Sequence, residues 1–132
     1  MLALNLQLGV EGQAQTTVTA LNTAKAMGSG SLEVFATPAM VALMEQAAVN
    51  SLDLPLGQSS VGTSLIITHT AATPLGAKVS AIAELIEIDR RRLVFKVEVR
   101  DEAGQIGEGK HERFIIDVEP FLVKAQSRKQ GA

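Results

Sequence analysis

The stretch from Val34 to Asn50 limits what this chain can become. Thr37-Pro38 is a helix opening, with Thr37 expected as the N-cap and Pro38 at the first helical position. From Ala39 to Leu52 the residues are almost all apolar, and a helix apolar nearly all round is one that a fold buries. Gln46, Asn50 and Asp53 recur at helical spacing as one narrow polar stripe. Glu45 stands outside that stripe, on the face of Val41 and Val49, and it is the only charge between Glu33 and Asp53. A carboxylate on an apolar face costs on the order of several kcal/mol unless a partner holds it.

The flanking sequence says what could cover such a helix. Leu2, Leu4, Leu6 and Leu8 alternate with polar residues, which predicts a short strand or extended arm within residues 1–10. Glu11 to Thr19 alternates weakly. Asn22 to Ser31, with Gly28-Ser29-Gly30, reads as a loop with room for one helical turn, and such a segment before the helix could serve as a lid. Ser31 to Phe35 predicts a short strand into the helix, and Leu54 to Ser60 a turn after it. Four strand-like runs follow: Val61–Thr70, Lys78–Asp89, Arg92–Arg100 and Ile106–Val118. The first puts Val61, Thr63, Leu65, Ile67 and His69 on one face, with Gly62 on the other. Short turns at Asp89-Arg90-Arg91 and Asp101-Glu102-Ala103-Gly104 join antiparallel neighbours. Residues 124–132 are polar and basic and are expected to fray. One buried helix plus consecutive antiparallel strands predicts an α+β domain of the hotdog type, a sheet wrapped around one long central helix. Such sheets pair edge to edge in a homodimer, which also covers an exposed strand edge.

At 132 residues, the chain is one domain, able to bury roughly two-thirds of its unfolded surface. There is no Cys, which excludes disulfides, thiolate metal sites and a Cys nucleophile, and fits a reducing, cytoplasmic setting. A net charge of -2 and the lack of Trp and Tyr give no basis for nucleic-acid binding. No apolar run approaches a membrane span, and Met1–Leu8 lacks the positive start of a signal peptide. Two His without Cys, and no ligand pair at helical spacing, predict no metal. Nothing in the sequence calls for a cofactor.

The candidate chemistry lies on the helix and the first long strand. Thr37 opens the helix, Glu45 follows about two turns on, and His69 lies on the strand face that should meet the helix. A hydroxyl, a carboxylate and an imidazole would then face one another, as in a general acid/base pair or an activated nucleophile. Gly62 lets a ligand approach the backbone, and its N–H could polarise a carbonyl oxygen. Each has a plainer explanation: Thr37 as a cap, Glu45 as a boundary side chain reaching water, His69 as a core histidine, Gly62 as a residue following a turn. His111 and Glu112, among charges on a strand, read as surface or interface residues.

Several segments resemble the fluoroacetyl-CoA thioesterase group of hotdog proteins: Val34-Phe35-Ala36-Thr37, Val41 to Glu45, Val61-Gly62-Thr63, Thr68-His69-Thr70-Ala71-Ala72-Thr73-Pro74, Arg91-Arg92-Leu93 and Gly109-Lys110-His111-Glu112-Arg113. The resemblance runs from about Val18 to Phe121. It implies a dimeric acyl-CoA thioesterase with a catalytic triad at Thr37, Glu45 and His69. It also implies that the Gly62 backbone meets the thioester and that Val18 and Arg113 line the substrate site. One departure stands out. The specialised enzymes of that group carry phenylalanines in the lid, whereas Asn22 to Ser31 has none. This predicts a related thioesterase of different or broader acyl preference. Two other functions use the same fold: a non-catalytic module binding acyl-CoA or small acids, and an enoyl-CoA hydratase. Thr37 and Glu45 suit hydrolysis better than hydration.

Overall fold

A computed structural model describes residues 6–129. Its elements are β1 (Glu11–Thr17), α1 (Ala24–Met27), α2 (Thr37–Asn50), β2 (Gln58–His69), β3 (Lys78–Asp89), β4 (Arg92–Asp101), β5 (Gly104–Asp117) and α3 (Val118–Ser127). The strands form one antiparallel sheet in the order β1-β3-β4-β5-β2. It curls around α2 as the hotdog reading expects.

The core follows from the period-two pattern of the strands. Val79, Ala81, Ala83 and Leu85 of β3 and Leu93, Phe95, Val97 and Val99 of β4 are buried. They meet Met40, Leu43, Met44, Ala47 and Ala48, one side of α2. The other side is open: Ala42 is exposed and Val49 is 41% exposed. So α2 is buried on one face rather than all round. Its polar stripe behaves as expected, with Gln46 donating to Asn50 and Asn50 to the Gln13 carbonyl.

Several expectations are corrected. The N-cap of α2 is Ala36, with no side-chain cap bond; the Thr37 hydroxyl is used elsewhere. Ser31–Phe35 is no strand but carries isolated bridges, Thr23 to Phe35 and Val34 to Pro74. Residues 2–5 of the expected leucine strand lie outside the described residues, and Leu6–Val10 is irregular, with a turn at Leu8-Gly9. The stretch from Lys124, expected to fray, continues α3 as far as Ser127. Pro120 sits in its first turn, where a missing N–H costs nothing.

The correction that matters most concerns β2. Gly62 pairs with Arg113 and Ser64 with Glu112, leaving Thr63 as an extra residue in a β-bulge. A bulge reverses the alternation beyond it. Gly62 therefore joins Leu65, Ile67 and His69 on the helix side, where the sequence pattern had placed Val61 and Thr63. On the outer face, the Thr63 hydroxyl donates to Glu112, and Glu112 accepts from Arg92.

Candidate active site

α2 and β2 run in opposite directions across one another. The start of the helix lies against the end of the strand, and Glu45 lies against the start of the strand. Eight residues separate Thr37 from Glu45, about 12 Å along a helix. Two polar clusters result.

In the first, Thr37 Oγ1 and His69 Nδ1 lie 2.8 Å apart. His69 Nε2 is buried without a hydrogen-bond partner among the described residues. Burial lowers the His69 pKa, against a weaker opposing pull from the Ala71 backbone. A neutral ring with Nδ1 unprotonated accepts the Thr37 proton, the arrangement that activates a hydroxyl or relays a proton. Beside the pair is a cleft of about 290 Å³, lined by Thr37, His69, Ala24, Ser29, Phe35 and Ala71. α1 is held there by its Thr23 cap, which accepts from the Ala26 N–H, and by Ala24 N–H donating to the Val34 carbonyl.

In the second cluster, Arg113 Nη1 donates to Glu45 Oε2 at 3.3 Å. His111 Nε2 lies 3.9 Å from the same oxygen. Arg113 also donates to the Ser60 hydroxyl and the Ser60 carbonyl. Burial lowers its pKa, and Glu45 opposes that; a guanidinium stays charged regardless. A Cβ on Gly62 would lie 2.5 Å from Glu45 Oε2 and 3.1 Å from His111 Cε1. A side chain there would push the Glu45 carboxylate out of this position. Glu45, Gly62, Leu65 and His111 line a separate cleft of about 260 Å³.

The structure thus unites Thr37 with His69, and Glu45 with Gly62 and Arg113. Within one protomer the imidazole beside Glu45 is His111 and not His69. The cause is the opposed run of helix and strand. Val18 joins neither cluster: it is buried in the core just past β1, bonded to the Gly76–Ala77 turn. His111, read from sequence as a surface or interface residue, is 2% exposed. Its inward phase was signalled by Ile115, two steps along β5; the alignment of Phe114, Ile116 and Val118 pointed outward instead. Among the described residues no group of three His, Asp or Glu could hold a metal, and no helix is long and apolar enough to cross a membrane.

A hotdog sheet whose helix turns a hydroxyl and a carboxylate toward two imidazoles, one half-buried and one buried, is the architecture of the thioesterase class. The comparisons narrow it. The family model described as fluoroacetyl-CoA-specific thioesterase matches residues 18–119. The fluoroacetyl-CoA thioesterase of Streptantibioticus cattleyicolor is 45% identical over 98 residues, 73% of this chain and 70% of that protein. A crystal structure of a point mutant of the fluoroacetyl-CoA-specific thioesterase FlK superposes with a TM-score of 0.87 at 36% identity, covering 94% of this chain and 98% of that one. The same mutant in complex with fluoroacetate and CoA gives 0.83 at 37% identity, over 88% and 99%. The chain belongs to the fluoroacetyl-CoA-specific thioesterase family, and it is a thioester hydrolase.

Proposed function

We propose that this protein hydrolyses a small acyl-CoA thioester and is not restricted to fluoroacetyl-CoA. The observation that carries the reading is the Thr37–His69 contact at 2.8 Å, opening on a cleft whose wall is Phe35 and otherwise small side chains such as Ala24, Ser29, Ala71 and Ala72. Glu45 supplies the attack, as nucleophile or by taking a proton from water. The Gly62 N–H holds the thioester carbonyl oxygen as it gains negative charge. Thr37 and His69 position the acyl group and move the proton that the departing CoA thiolate takes up. Arg113 holds Glu45 and borders the substrate. The acyl preference follows from the wall: the 22–31 segment presents Ala24 and Ser29 to the cleft, not an aromatic ring. The wall admits groups larger than fluoroacetyl and does not single out fluorine.

A panel of short, branched and aromatic acyl-CoAs, scored for free thiol, tests this. Turnover of several members, with fluoroacetyl-CoA unprivileged, is the expected result. Binding of CoA esters without thiol release would overturn it, as would loss of enoyl-CoA absorbance in place of hydrolysis.

The reading includes a homodimer. β2 is an edge strand of 12 residues with Ile66 78% exposed, and such an edge invites pairing. The open face of α2 lies next to it. A second copy would bring Thr37 and His69 of one protomer near Glu45 and Gly62 of its partner, around one thioester. Mixing Thr37→Ala/His69→Ala chains with Glu45→Gln chains then regenerates one intact site per heterodimer, about half the wild-type rate. No regain in verified heterodimers would place each site within one chain.

A further inference from the structure

His111 is the least exposed titratable group beside Glu45, and the proposed mechanism gives it no task. Its surroundings fix its protonation. Nδ1 lies 2.9 Å from the Ser64 carbonyl oxygen, which can only accept; Nδ1 therefore carries a proton. Nε2 lies 3.1 Å from Arg113 Nη1, which can only donate; Nε2 therefore carries a lone pair. The ring is neutral, in a single tautomer. Burial, and secondarily Arg113, keep its pKa below the ordinary value, against the Ser64 bond and the Glu45 and Glu112 charges. From β4 it meets the tilted Phe95 ring, 6.3 Å between centroids. From α2 it meets Glu45, and from β2 the Ser64 carbonyl and Gly62.

Arg113 Nη1 has two protons. One goes to Glu45 and the other to His111. Ser60 takes the rest of the guanidinium on the far side. We propose that His111 is a positioning residue for the reaction: its Nδ1–H tautomer accepts from Arg113 and so fixes the guanidinium that aims Glu45 past Gly62. The proposal rests on Glu45 being the attacking group, but the lock between His111 and Arg113 can be read without turnover.

Two variants separate the lock from simple core filling. His111→Gln reaches to the Nε2 position with an oxygen that accepts from Arg113. His111→Asn keeps a donor for Ser64 but leaves Arg113 without its acceptor. The chain has only two histidines, so both rings are assignable by nitrogen NMR. In the ligand-free wild type the His111 ring is expected as the Nδ1–H tautomer, with the Arg113 Nε–H slow to exchange. That protection persists in His111→Gln and is lost in His111→Asn. Thiol release from the best acyl-CoA stays within about threefold in the first and falls about tenfold or more in the second, the worth of one hydrogen bond to a charged group. A protonated or Nε2–H ring, or equal Arg113 protection in both variants, overturns the proposal. So does equal thiol release in both. If no acyl-CoA is cleaved by the wild type while the ring and Arg113 behave as stated, the hydrolytic reading fails and the lock stands.

Discussion

Glu45→Gln is expected to lower thiol release by at least about a hundredfold, the lower range for loss of a positioned acid/base group. The amide oxygen can still accept from Arg113, so the 3.3 Å contact has a substitute and the helix keeps its packing. What disappears is the negative charge and the basic oxygen facing Gly62. The measurement is kcat on a saturating acyl-CoA, with the melting temperature as control. A variant within a few degrees of wild type in Tm and within about threefold in kcat would remove Glu45 from the chemistry. The residues left to attack would then be Thr37 with His69.

Gly12→Ala is expected to be strongly destabilising for a single added methyl. Gly12 of β1 lies against the last turn of α2. A Cβ there would run into the Ala47 carbonyl oxygen and the Ser51 backbone, 2.5 Å from its nitrogen and 2.9 Å from its Cα. Helix backbone cannot rotate away as a side chain can. Relief requires β1 or α2 to shift, at about 3 kcal/mol, roughly 10 °C in Tm for a domain of this size. A fall of under about 2 °C by calorimetry would show that the β1–α2 contact is compliant. The expected loss is in stability, because Gly12 lines neither cleft.

Much of this molecule could be read before its structure. β3 begins and ends where alternation said, Lys78 to Asp89, because buried and less buried residues alternate from Lys78 to Leu85 and the break at Ile86 is a local bulge. The α2 helix was equally plain. The outcome at Thr37 shows where such reading fails. Capping propensity is local, and His69 competes for the same hydroxyl from 32 residues away. The separation of Glu45 from His69 within one chain was hidden for a similar reason: the sequence locates residues on faces but does not say which way a strand crosses a helix. His111 was masked by its charged neighbours. Lys110 and Glu112 point outward, and only the parity set by Ile115 and Arg113 shows that the residue between them turns in. α3 was missed because it starts at Val118, the last residue of the expected strand, and Lys124 onward reads as a polar tail.

The extra residue at Thr63 has a consequence for how this protein tolerates change. Without it, a twelve-residue strand could offer the helix either Gly62 or His69, not both, since the two differ by an odd number of steps. One inserted position lets the same strand serve both chemical centres. An in-frame loss of a single codon there would leave every other side chain present and still turn one centre to the outside. Length at this point is as much a part of the site as the identity of any group in it.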